Sequence, residues 1–208
     1  MNELTHGEKA YCAAIADRIR RLRRHLADAD LCDPPDAPRW YKFLAALKAI
    51  QGNTNNDLSF IATLLAKAWL VERLPIPMFD AAGKAQGAGG FDVDLKTADG
   101  NRIVAEIKNT VPYKPTDFGA AQKREFRKDF TKLNAAVAHR KFLFVTDRRA
   151  FALLRKKYAP QIPGVDLVLL GAANANYPAA GGGRRATSSS RSGGGGRRPL
   201  NRRPLAGT

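Results

Sequence analysis

The sequence predicts an α/β protein: a mixed sheet flanked by helices, with an N-terminal helical layer before it and a disordered tail after it. Three observations carry this. Apolar residues recur at helical spacing through the first 75 residues, then switch to strict alternation near residue 90. Two alternating runs are separated by Asp99-Gly100, a strong hairpin signal. Beyond them come a helical stretch, a buried apolar run, a second helical stretch and a second apolar run.

The first helix places Ile15, Ile19, Leu22 and Leu26 on one stripe, with Arg18, Arg20, Arg21, Arg23 and Arg24 crowding the rest of its surface. The DPPDAP stretch, Asp33 to Pro38, breaks it. A second helix runs from about Trp40 to Ile50, with Trp40, Phe43, Leu44 and Leu47 on its stripe, and stops at Gly52-Asn53. A third begins after the NTNND segment, carries Ile61, Leu64, Leu65, Ala68 and Trp69, and ends before Pro75.

The period then becomes two. FDVDLK (91–96) puts Phe91, Val93 and Leu95 on one face and Asp92, Asp94 and Lys96 on the other, and RIVAEIK (102–108) alternates as well. A long helix is expected over 117–138, with Phe126, Phe130, Leu133 and Val137 on its apolar stripe. KFLFVTD (141–147) and VDLVLL (165–170) are expected buried strands on either side of a basic helix at 148–158. The expected organisation is a helical region at 1–54, a core at 55–170 and a tail at 171–208. The tail holds nine of the 18 glycines and seven arginines with no Lys, Asp or Glu, too little apolar surface to offset chain entropy.

Charge narrows the partners. The chain of 208 residues carries +16, and its first 170 residues, with 28 basic and 19 acidic side chains, keep +9 without the tail. Such an excess points to a polyanion, nucleic acid first and an anionic membrane surface second. No run approaches the roughly 18 apolar residues of a membrane span. The N-terminus MNELTHGEKAYC lacks the basic-then-apolar layout of a secretory signal. Cys12, Cys32, His6, His25 and His139 are too few and too scattered for a disulfide framework or a zinc site. A cytoplasmic protein without membrane association is expected.

The polar face of the hairpin carries the chemistry. Asp92 and Asp94 share one side of the first strand, and Glu106 and Lys108 share one side of the second. A tight turn can bring the four together. Clustered carboxylates repel, a cost that a divalent cation offsets, and oxygen ligands suit Mg²⁺ or Mn²⁺. A surface ion-pair cluster is the structural alternative.

The pattern GGFDVDL–turn–IVAEIKNT resembles the core of the PD-(D/E)xK nuclease superfamily, the fold of many restriction endonucleases. The resemblance spans roughly residues 55–170 and implies a restriction-endonuclease-like sheet. An acid on the first strand, Asp94 or else Asp92, would join Glu106 and the backbone carbonyl of Ile107 in holding Mg²⁺, for which Mn²⁺ can substitute. Related sequences favour Asp94. Lys108 would orient the attacking water. Gln122, four residues before Phe126, is similar to the glutamine of a QxxxY motif in some lineages, and its spacing places it on the sheet-facing stripe. Lys114, Lys123, Arg124, Arg127 and Lys128 are placed to grip phosphates. Glu72 is a weaker candidate for an accessory carboxylate. Two features of the family are missing: the proline before the first acid, and a clear opening strand, for which only IPMF (76–79) and a Gly-Ala stretch are available.

The resemblance implies a Mg²⁺-dependent endonuclease, a type II restriction enzyme that cuts double-stranded DNA as a homodimer. A structure-specific or repair endonuclease would share every motif. A non-catalytic nucleic-acid-binding protein would use the basic surface alone.

Overall fold

In the computed structural model, which describes residues 3–29, 36–84 and 88–171, helix formation begins at Thr5. Thr5 forms a capping box with Glu8 and starts α1, His6–Ala27. Asp36 caps α2, Ala37–Gln51, and Pro38 sits in its first turn, where a missing N–H costs nothing. The Asp33-Pro34-Pro35 part of the expected break lies outside the described residues. Asn53 caps α3, Thr54–Arg73, so most of the NTNND segment forms the first turn of this helix instead of preceding it.

Both strands of the hairpin are present: β1, Val93–Lys96, and β2, Arg102–Lys108. Gly100 turns the chain at φ 81°, and the Gly100 N–H reaches the Thr97 carbonyl at 3.0 Å. Only glycine takes that left-handed conformation without strain. Then follow α4, Ala120–Ala135, β3, Arg140–Val145, and α5, Arg148–Leu153, which continues through a π turn and a 3₁₀ turn to Gln161. The last strand is β4, Asp166–Leu169. The sheet order is β1-β2-β3-β4, antiparallel at β1–β2 and parallel thereafter. This is an α/β protein built on a four-stranded mixed sheet flanked by helices. IPMF forms no strand, although Ile76 and Phe79 pack under α3.

Helices cover both faces of the sheet. Under α3, Ala66 and Leu70 meet Val93, Ile103, Ala105, Phe142 and Phe144, and Trp69 sits edge-on to both phenylalanines at 5.4 Å. Under α4 and α5, Val104, Leu143 and Val145 meet Phe118, Phe126, Phe130, Leu133 and Leu154. Each large side chain buried this way contributes about 1.5–3 kcal/mol.

Several expected stripes differ. In α3 the buried residues are Phe60, Ala62, Ala66, Lys67 and Leu70, while Ile61 and Leu65 face outward. Small alanines let the helix approach the sheet, so the buried side is not the side with the most large apolar residues. Val137, expected on the stripe of the long helix, lies beyond its end and is 86% exposed. Ile19, Leu26 and Leu44 are also exposed.

The N-terminal helix is tied to α3. Tyr11 stacks on Phe60 at 4.1 Å, Arg18 pairs with Asp57, and Glu8 pairs with Lys67 at 2.7 Å, both fully buried. Oε1 of Glu8 also accepts the Ala81 N–H at 2.8 Å. Burial raises the Glu8 pKa, but hydrogen bonds from Lys67, Ala81 and Thr5 outweigh it and hold the carboxyl below its usual range. His25 stacks on Phe43 and so joins α1 to α2.

Among the described residues no helix is long and apolar enough to cross a membrane. The described residues fall within one unit, Met1–Ala175. Of the Gly/Arg-rich tail, only Gly171 is among them, so its expected disorder lies outside the described residues.

Candidate functional site

Alternation along β2 sends Val104, Glu106 and Lys108 to the face that α4 covers. The antiparallel register sets Val93 opposite Ala105 and Asp94 opposite Val104. One residue beyond the ladder, Asp92 flanks Glu106, and its Oδ2 accepts the Ile107 N–H at 2.8 Å. The first acid is thus fastened to the middle of the Glu106-Ile107-Lys108 triplet.

Asp94, the acid favoured from sequence, is engaged elsewhere. Nε and Nη2 of Arg102 donate to its two oxygens at 2.9 and 2.7 Å. This bidentate pair holds its carboxyl below the usual range. Opposite Val104, Asp94 is diagonal to both Arg102 and Glu106. A guanidinium fork attracts a carboxylate, whereas a second carboxylate repels it. The structure therefore places Asp92, and not Asp94, beside Glu106.

Two residues that the sequence reading did not single out complete the cluster. From α4, Asp129 meets Lys108 at 2.6 Å and Lys132 pairs with Glu106. Lys132 also donates to the Gly90 carbonyl and lies 4.9 Å from the Phe91 ring centroid, reaching from the helix to the start of β1. A signal for Asp129 was present. It lies at i+3 from Phe126 and i−4 from Leu133, so it is an acid inside an apolar stripe.

Burial dominates the electrostatics. Glu106 is 3% exposed, and its pKa is pushed up to about 7. Desolvation is the largest cause, Lys132 opposes it, and the charges of Asp92 and Asp129 add to the rise. Asp129 is raised as well, again chiefly by desolvation, against Lys108 and Lys132. Oε1 of Glu106 and Oδ2 of Asp129 are buried against the ammonium groups of Lys132 and Lys108, which offset part of the desolvation. Two ammonium groups thus serve three carboxylates.

The carboxylates of Asp92 and Glu106 are oxygen donors of the kind that suits a hard divalent cation. Among the described residues, no group of three or more His, Cys, Asp or Glu is arranged to hold a metal. Any cation here would rest on two carboxylates and on water. A cavity of about 350 Å³ opens beside β1, with Phe79, Lys84, Phe91, Asp92 and Asp94 in its wall.

The other candidates make their contacts outside this cluster. Gln122 keeps its place one turn before the buried Phe126, and its amide meets the backbone of the loop after β2. The helix starts at Ala120, which makes Gln122 a first-turn residue. Its Oε1 accepts the Gly119 and Tyr113 N–H groups at 3.0 and 3.4 Å, and its Nε2 donates to the Val111 carbonyl at 2.7 Å. It organises the loop after β2 by satisfying backbone groups at a helix start. Lys123 pairs with Asp117, which also accepts the Tyr158 hydroxyl; these hydrogen bonds hold the Asp117 carboxyl far below its usual range. Arg124 and Lys128 flank Glu125, while Lys114 and Arg127 are exposed. Glu72 pairs with Arg73 at the surface. No protein-family model matches the chain, no curated protein matches it, and no solved structure matches it.

Proposed function

We propose that the protein is a Mg²⁺-dependent endonuclease with a restriction-endonuclease-like core that hydrolyses DNA phosphodiester bonds. The observation that carries the proposal is the meeting of Asp92, from the lead-in to β1, with Glu106-Ile107-Lys108 on β2. An acid thereby joins an acid-x-lysine triplet in the order the sequence resemblance requires. A hairpin followed by a helix and a parallel strand is also compatible with that fold.

Asp92, Glu106 and the Ile107 carbonyl would hold Mg²⁺ or Mn²⁺. When bound, the cation supplies Lewis-acid stabilisation of phosphoryl charge and acidifies a water. In the reaction a water oxygen would bond to phosphorus as the bond to the 3′ oxygen breaks, the water losing a proton to solvent and the leaving 3′ oxygen taking one up. Lys108 Nζ donates a hydrogen bond to the attacking water and offsets charge on the phosphoryl oxygens. Asp129 holds the Lys108 ammonium in place. Lys132 offsets the charge of Glu106, and its side chain is one-third exposed. Lys114, Lys123, Arg124, Arg127 and Lys128 supply phosphate contacts that are independent of base sequence.

The test is incubation of the purified chain with supercoiled and linear DNA in Mg²⁺ and in EDTA, beside Glu106→Ala and Lys108→Ala. Discrete Mg²⁺-dependent fragments from linear DNA, reduced at least about 100-fold in both variants, are the expected result for a site-specific restriction enzyme. A smear or nicking would move the assignment to a repair or structure-specific enzyme. One observation favours a second reading, in which the protein binds nucleic acid without cutting it: a lysine already faces each buried carboxylate. Unaltered, salt-sensitive binding by Glu106→Ala, with no cleavage of any substrate by the parent, would establish that reading and overturn the enzyme.

A further inference from the structure

The loop that leaves β2 has no regular structure, yet it is fastened at nearly every step. Gln122 holds the backbone of Val111, Tyr113 and Gly119. Lys157 donates to the Thr116 carbonyl at 2.7 Å, and Tyr158 donates to Asp117 at 2.7 Å. Pro112 is buried. This well-anchored loop nevertheless presents two apolar side chains to solvent: Val111 is 49% exposed and Tyr113 80%.

The Tyr113 ring is seated as well as exposed. One edge rests over Gly119, where a Cβ would come within 3.0 Å of Cδ2. A cavity of about 430 Å³ opens between this ring and the first turns of α4, lined by Thr110, Val111, Tyr113, Ala121, Gln122 and Glu125. Its wall combines an aromatic ring and a branched aliphatic with a hydroxyl, an amide and a carboxylate. That combination suits a planar heterocycle with polar edges.

Charge and position identify the occupant. Arg124 and Lys128 pair with Glu125 in the cavity wall, and Lys114 and Lys123 follow Tyr113 and Gln122 in sequence, on a chain of net charge +16, which complements a phosphate backbone. Glu125, in the cavity wall, feels the charge of Lys108. It lies one helical turn, about 6 Å, from Asp129, the partner of Lys108. An extended nucleotide covers a similar distance.

We propose that this cavity is a nucleobase subsite, in which Tyr113 stacks on an unpaired base of a nucleic-acid strand about one nucleotide from the phosphate at Lys108. A paired base inside a duplex cannot offer its face to Tyr113, so the subsite selects single strands, overhangs or flaps. The adjacent phosphate rests on the nuclease proposal. The base subsite itself does not.

The experiment measures binding of the full chain to labelled single-stranded and duplex oligonucleotides of equal length by fluorescence anisotropy. EDTA keeps cleavage from intervening. Tyr113→Ala is expected to weaken single-strand binding roughly 5- to 100-fold, while Tyr113→Phe binds as the parent does. Both keep the salt dependence of the parent, because no phosphate contact is removed. Duplex binding is expected to change less than about twofold. Tyr113 is exposed, so its variants are expected to melt with the parent, and the melt is recorded beside each titration. Parental single-strand affinity in Tyr113→Ala overturns the subsite, as does equal loss in the alanine and phenylalanine variants or failure of the parent to bind single strands. If Tyr113→Ala loses single-strand binding but the parent never cuts DNA, the subsite stands and the nuclease proposal falls.

Discussion

Glu106→Gln provides a quantitative test of the carboxylate cluster through folding stability, with no assumption about activity. Glu106 has a folded pKa of about 7 against an ordinary value of 4.5. A raised carboxyl pKa means that the neutral form is the one the fold tolerates. Its burial carries no charge penalty below about pH 4.5, and the penalty grows as the pH rises through about 7. A tenfold weaker acid corresponds to about 1.4 kcal/mol, so the parent loses on the order of 2–3 kcal/mol between pH 4.5 and 8 through this residue. Glutamine cannot ionise and escapes that loss. Any cost of fitting an amide is independent of pH and cancels when the variant is compared with the parent across pH. The difference between variant and parent thermal melts is therefore expected to change steadily from pH 4.5 to 8. The variant should gain roughly 4–12 °C on the parent toward alkaline pH, at about 2–4 °C per kcal/mol for a chain of this size. Parallel curves over the whole range would mean that Glu106 titrates normally and that α4 does not desolvate it.

Two further predictions concern the clasp at the N-terminus and the choice of acid. Glu8→Ala leaves the Lys67 ammonium buried without its partner and removes the acceptor of Ala81, so urea melts at pH 7 are expected to show a loss of about 3–5 kcal/mol. Because the folded Glu8 pKa is depressed, that difference is present above about pH 4.5 and fades as the pH falls through the lower folded value. The double variant Glu8→Leu/Lys67→Met should recover most of the loss. For the metal, a saturating excess of Mg²⁺, about 100-fold over its dissociation constant, should stabilise the parent by about 2.7 kcal/mol, read as a thermal shift. Asp92→Asn should abolish that shift and Asp94→Asn preserve it, and the opposite pattern would return Asp94 to the cation site.

Local features of the fold were legible in the sequence. The expected strand 102–108 is β2 residue for residue, and the turn expected at Asp99-Gly100 is the turn observed. Both follow from signals confined to a few neighbouring residues: alternation of apolar side chains, and a glycine that accepts positive φ. The presence of three N-terminal helices was legible for the same reason. Their buried faces were not. Ala66 and Leu70 of α3 are buried because the sheet lies on that side, Phe60 is met by Tyr11 of α1, and Lys67 is buried because Glu8, 59 residues away, neutralises it.

The candidate site divides in the same way. Glu106, Lys108 and a nearby acid could be named from spacing, because residues i and i+2 of a strand share a face in any fold. Spacing could not choose between Asp92 and Asp94, which occupy the same face. The choice came from the register of β1 against β2 and from Arg102, which takes the acid next to it. Asp129 and Lys132 entered only when α4 folded over the sheet. The sequence alone thus determined which elements form and which side chains share a face, since backbone periodicity and turn chemistry act over a few residues. The tertiary structure decided which of those side chains are desolvated and which charges they meet, because burial and Coulomb energy depend on what distant segments bring into contact.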